Sequence, residues 1–228
     1  MTTTPSLHDI LRDRVVNGEF APGQRLRPEA LRKDCDCSAS AVREALFRLS
    51  TVGLVDFQEQ RGFRIPQRSP ALQHDLTQFR ILLESEGACR SIRIGGVAWE
   101  ARLTAAHHKL SHIESRIGDG MGAPKLLTLW TEAELEFHQT LIEACGSDVL
   151  KQTHARIYQQ FRQQMISSDR EFSYIAENVE EHRGILEAAL AHDEALIRQR
   201  IHNHLSRNLL PSEDSPADIQ APSMSSAI

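Results

Sequence analysis

Between residues 7 and 52 apolar side chains recur every three or four positions in three separate runs, predicting short helices at about 7–17, 28–34 and 40–52. The first two are divided by Gly18-Glu19-Phe20-Ala21-Pro22-Gly23, where Pro22-Gly23 is a strong helix breaker, and the last two by the turn around Asp36-Cys37-Ser38. After Thr51 the period changes. Val55 and Phe57, then Phe63 and Ile65, alternate with polar residues across a loop containing Gly62, the pattern of a small hairpin. Three helices and a hairpin predict a winged helix-turn-helix. Pro66 to Pro70 reads as a linker, and helical spacing then continues to about residue 209. The expected fold class is therefore mainly α: a winged helix-turn-helix over 1–69, then an all-α antiparallel helical bundle over 70–210. Residues 211–228, PSEDSPADIQAPSMSSAI, are too poor in large apolar side chains to pack and predict a disordered tail.

Length agrees with this division, since 228 residues at 40% hydrophobic content are enough for two modest domains. The net charge of −5 excludes a generally basic nucleic-acid coat, so any contact with a polyanion must come from a local patch. Residues 1–69 carry 11 Lys/Arg against 9 Asp/Glu, a net of +2, whereas the remainder carries 15 against 22, a net of −7. Ten of the eleven histidines lie in that acidic remainder. Cysteines 35, 37, 89 and 145 form no CxxC pair, and the start does not resemble a signal peptide, so a reduced cytoplasmic location is expected. No apolar run approaches the roughly 18 residues of a membrane helix.

The stretch VREALFRLSTVGLVDFQEQRGFRI carries the first candidate chemistry. Val42, Leu46 and Leu49 share one helix face, leaving Arg43 and Glu44 near the exposed start and Arg48 on a flank. Serine hydroxyls, free backbone N–H groups and an arginine in a first turn suit the major groove, because phosphates favour helix N-termini and arginine reads guanine edges in a bidentate manner. The loop Gln60-Arg61-Gly62 is placed to touch the neighbouring groove or backbone. Either arginine alone is better read as a solvated surface charge; the combination favours DNA.

The runs GEFAPGQRLRPEAL, SASAVREALFRLSTVGLV and QRGFRI resemble the DNA-binding domain of GntR-type bacterial transcription regulators over residues 8–65. The resemblance implies that Arg27, Ser38, Ser40, Arg43 and Gly62 meet DNA, and that a homodimer reads a double-stranded operator with an inverted repeat. Ala39 and Ala41 depart from the family pattern, which usually has arginine and proline there, so a different operator is expected.

In the acidic half, TLWTEAELEFHQTLIEAC places Trp130, Glu134, His138, Leu141 and Cys145 on one stripe. Val179, His182, Ile185, Leu186 and Ala189 share a face of the next helix, and Ile197, Ile201, His204 and Leu205 a face of the last. One inward histidine is usually a hydrogen-bonded core residue. Three, with a carboxylate that is costly to bury alone, suit a divalent metal joining three helices. His107, His108, His112 and His192 read as surface or packing residues, and His202 points away from the His204 face.

The segments ELEFHQTL (134–141), EHRGILEAALAHDEA (181–195) and His204-Leu205 are similar to the helical ligand-binding (FCD) domain of the FadR subfamily, over about residues 72–208. Many members of that subfamily hold a metal with an aspartate and three histidines. The resemblance implies Glu134, His138, His182 and His204 as ligands, with glutamate standing for aspartate, and one divalent ion per chain, zinc first, nickel or manganese otherwise. It also implies a small carboxylate effector, for which Tyr158 and Arg162 are pocket candidates. Arg80 either turns into that pocket or pairs with Glu84 at i+4. The expected function is a DNA-binding repressor relieved by an organic acid, not an enzyme. A metal-dependent hydrolase, or a constitutive DNA-binding protein with a structural metal, are the alternatives.

Overall fold

The computed structural model describes residues 5–118, 124–165 and 177–210; the tail expected at 211–228 lies outside them. Helix α1 (Leu7–Val16) opens with a reciprocal capping box between Ser6 and Asp9, and α2 (Pro28–Asp34) starts on Pro28. Helix α3 (Ala39–Thr51) turns Val42, Ala45, Leu46 and Leu49 into a core completed by Leu11, Leu31 and Phe63. The hairpin is β2 (Asp56–Gln58) and β3 (Gly62–Arg64), with Phe57 opposite Phe63. Gly62 has φ +74°, the left-handed conformation that makes glycine the natural residue of this turn.

One strand was not expected. β1 (Arg25–Leu26) pairs antiparallel with β3, so the wing is a three-stranded sheet in the order β1-β3-β2. Two residues are too few to show a period of two, and their pairing partner lies some forty positions away in the chain. Val55 is buried just before β2, and Ile65 continues the pairing past β3 through hydrogen bonds with Gln24 and Gly23.

The second core belongs to six helices: α4 (Pro70–Ile94), α5 (Gly96–Gly118), α6 (Pro124–Leu141), α7 (Asp148–Met165), α8 (Glu177–Leu190) and α9 (Glu194–Ser206). Trp99, Leu103, Phe137, Leu141, Ile185 and Ile201 fill it. Helix α4 packs along α7 and α9, α5 along α6, and α8 along α9. Gly87 lets α4 approach the end of α6, since a Cβ there would lie 2.7 Å from Ile142.

Ser69 caps α4 by accepting from the Leu72 N–H, so the chain passes from the first unit straight into that helix. The two units also touch through α7. Gln160 Nε2 donates to Val52 O at 2.6 Å and Gln163 Nε2 to Leu54 O at 2.8 Å, both in the turn that follows α3. Gln164 Oε1 accepts from Ser69 N at 3.0 Å. Among the described residues no helix is long and apolar enough to cross a membrane.

Candidate functional site

The DNA-reading candidates lie where their local structure exposes them. Ser38 is the N-cap of α3, its hydroxyl accepting from Ala41 N at 3.1 Å, and Ser40, Arg43 and Arg48 are exposed along that helix. Arg27 is exposed at the N-cap of α2, and Gln60 and Arg61 are exposed at the tip between β2 and β3, beside the half-buried Gly62.

In the bundle, α6, α8 and α9 bring His138, His182 and His204 together from three helices, with one candidate ligand atom of each within 4.8 Å of the others. Each ring is oriented from behind by a carboxylate. Nδ1 of His138 lies 2.8 Å from Glu84 Oε2, Nδ1 of His182 lies 3.0 Å from Glu114 Oε1, and Nδ1 of His204 lies 2.8 Å from Glu181 Oε2. A carboxylate accepts only, so Nδ1 carries the proton of this bond, and a neutral ring so held presents its Nε2 lone pair. Nε2 of His138 and of His182 is buried without a hydrogen-bond partner. Burial holds the His138 imidazole below its usual pKa; His204 lies well below, through burial and the neighbouring His182 and His138. Both rings are therefore kept neutral, as a metal ligand must be.

The sequence did not mark these three carboxylates as site residues. Arg80, Glu84 and Ala88 follow one buried stripe of α4, and Leu103, Leu110 and Glu114 one of α5; glutamates on apolar stripes were the available signal. Glu181 lies next to His182 in the chain yet serves His204.

Glu84 also joins the histidines to α7. Its Oε1 accepts from Arg80 Nε at 2.8 Å and meets His154 Nε2 at 2.9 Å, with all three side chains buried. Burial pushes the Glu84 carboxyl up, but Arg80 and His138 outweigh it and hold the group well below the usual range. Of the two expectations for Arg80, the i+4 pair with Glu84 is formed. Its Nη2 lies 2.8 Å from the same oxygen but outside hydrogen-bond geometry, and so has no hydrogen-bond partner. The guanidinium lies over the rings of Tyr158 and Phe161, 4.8 and 4.7 Å from their centroids.

Glu134 is placed differently from the histidines. Its Oε2 accepts from the Tyr158 hydroxyl at 3.0 Å and lies 3.8 Å from Arg162 Nη1, and it is not among the close-set ligand atoms. Arg162 also bonds Thr131. His202 is exposed, as are His108, His112 and His192, while His107 is partly buried against Phe137.

The donor set fits a divalent ion. Two imidazole nitrogens on one tetrahedral zinc ion, at about 2.0–2.1 Å from it, are about 3.3–3.4 Å apart. Nitrogens already within 4.8 Å of one another would need to close by at most about 1.5 Å. Two buried unpartnered Nε2 atoms are the polar debt such an ion would settle. Carboxylates behind imidazoles are the usual outer shell of a histidine-bound metal.

A winged helix-turn-helix joined to an all-helical second unit is the architecture of a DNA-binding regulator. Residues 3–65 match the bacterial regulatory proteins of the gntR family, and residues 75–207 match the FCD domain. The HTH-type transcriptional regulator BphR of Paraburkholderia xenovorans (strain LB400) is 34% identical over 204 residues, covering 87% of this chain and 80% of that protein. The HTH-type transcriptional repressor GlaR of Escherichia coli (strain K12) is 27% identical, covering 86% and 89%. Among solved structures, E. coli McbR/YncC superposes with a TM-score of 0.71 at 18% identity, covering 90% of this chain and 96% of that one. A GntR regulator from Rhodococcus sp. RHA1 gives 0.67 at 20% identity, covering 88% and 92%. At those identities the structural likeness speaks for the fold alone. This chain belongs to the gntR family of transcription regulators and carries an FCD domain as its second half. The family consists of regulators rather than enzymes, which removes the hydrolase alternative.

Proposed function

We propose that this regulator acts in the cytoplasm as a homodimeric repressor on an inverted-repeat operator, and that a small organic acid bound beside a divalent ion relieves the repression. The observation that carries the reading is the trio His138, His182 and His204, each with Nδ1 bonded to a carboxylate, two of them with Nε2 buried and unpartnered. A divalent ion there supplies a coordinate bond to a carboxylate ligand, and the nearby Arg80 guanidinium supplies charge-assisted donors. Glu134, one turn before His138 on α6, is the expected fourth ligand, or else the partner that Tyr158 and Arg162 retain.

Helix α7 is the route to the operator. His154 and Tyr158 face the buried network, while Gln160 and Gln163 on the same helix hold the backbone that follows α3. A ligand that prefers one position of α7 therefore biases the position of α3, and differential affinity for the two positions is what a switch requires. Repressor action is favoured over activation because relatives such as GlaR are named repressors.

The test is a thermal-shift screen of small mono- and dicarboxylic acids, with and without a chelator, followed by operator titration with each hit. A chelator-sensitive hit that weakens operator binding is expected. A metal-loaded protein whose operator affinity no acid alters would leave the ion purely structural and DNA binding constitutive.

A further inference from the structure

We propose that Phe47 and Phe57 form an apolar reader beside Arg43 that takes the 5-methyl group of a thymine in the operator. The inference rests on DNA binding by α3 and is independent of the metal and the effector.

Ser40, Arg43, Glu44 and Phe47 follow one exposed stripe of α3, at the spacing i, i+3, i+4, i+7. With Phe57 and Phe63 they line a single groove of about 310 Å³ between that helix and the wing. Phe47 is 51% exposed and Phe57 41%, although both lie on the unit that must approach a polyanion. These rings are fixed. Phe57 meets Phe47 edge-on at 5.7 Å and lies 4.8 Å from Phe63, which is itself core. Pre-positioned rings bind without first being ordered.

Adjacent exposed aromatic rings continuous with a binding face mark a contact surface rather than scattered surface apolars. Three of the six lining residues are phenylalanines, and Glu44 sets a negative charge against the Arg43 cation, so the Phe47–Phe57 end of the groove offers hydrocarbon and not a phosphate site. A base edge remains. Of the groups displayed in the major groove, the thymine methyl is the apolar one, and phenylalanine is among the side chains that contact it. Phe47 lies about 6 Å along the helix axis from Arg43, so the thymine should fall within about two base pairs of the pair that Arg43 reads. Phe47 is thereby a specificity-determining residue alongside Arg43.

The experiment begins from a selected duplex, so the natural operator need not be in hand. That duplex is drawn from a random pool with the full chain, and each thymine of its half-site is replaced singly by deoxyuridine, which removes the methyl and nothing else. One position is expected to weaken wild-type binding by about four-fold per half-site, the size for one apolar carbon withdrawn from a dry contact. Phe47→Ala should bind the thymine and deoxyuridine duplexes equally, with an unchanged melting temperature, and Phe57→Ala should reduce the discrimination. The proposal is overturned if no deoxyuridine position affects the wild type, a result that does not depend on any variant folding. It is overturned equally if Phe47→Ala and Phe57→Ala both keep the full discrimination, or if the sensitive thymine lies beyond two pairs from the position where Arg43→Ala loses base preference.

Discussion

Arg80 and Glu84 face each other across one turn of α4 in the interior of the bundle, both buried, with Nε donating to Oε1 at 2.8 Å. The pair lies between the histidine trio, which it reaches through His138, and α7, which it reaches through His154 and the rings of Tyr158 and Phe161. Its position makes it both a support of the bundle and the junction between the proposed effector site and the DNA-binding unit.

Glu84→Gln should therefore be costly. It removes the negative charge that compensates a buried guanidinium, and breaking such a pair from one side costs about 3–5 kcal/mol. Urea denaturation of the metal-free protein measures this directly. A loss below about 1 kcal/mol, the range of an exposed pair, would show that Arg80 finds other compensation.

Metal content should follow the three rings. His138→Ala, His182→Ala and His204→Ala should each lower both the bound divalent ion and the melting temperature, while His202→Ala, on the exposed face, changes neither. Glu114→Gln leaves all three rings in place but loosens His182, so metal affinity should fall by about 10- to 100-fold. Elemental analysis after purification without chelators decides the matter, and protein free of stoichiometric metal would refute the centre.

Arg43→Ala should weaken specific operator binding by about 1–3 kcal/mol and leave the fold intact, since the side chain is exposed and supports nothing in the core. A footprint with two-fold symmetry is expected from a dimer presenting two copies of α3. Equal affinity of variant and wild type in a gel-shift titration would take Arg43 out of the interface.

Gln163→Ala separates the two units. It leaves Leu54 O without its side-chain partner, at a cost of about 1–3 kcal/mol, and it should preserve metal content and operator binding. What it should lose is the effector response, expected in the wild type as roughly a 5- to 150-fold change in operator affinity. An undiminished response, combined with the same result for Gln160→Ala, would place the coupling elsewhere.

The sequence by itself determined most of the architecture, because period and punctuation are local properties. Val42, Leu46 and Leu49 announce the buried face of α3, Pro22-Gly23 and Gly62 announce the turns, and Ile197, Ile201, His204 and Leu205 announce the inward face of α9. The gntR family resemblance was legible for the same reason, its motifs being contiguous. What the sequence could not decide is which partner each inward polar group finds. The pairing of β1 with β3, the orientation of three imidazoles by Glu84, Glu114 and Glu181, and the hydrogen bond from Tyr158 to Glu134 all join residues far apart in the chain. Helical spacing states that a side chain points inward; only the packing of α4 against α7, and of α8 against α9, sets which charges then lie within 3 Å of one another. In a low-dielectric interior that distance, and not residue type, decides whether a glutamate is a ligand, an orienting acceptor or a counter-ion.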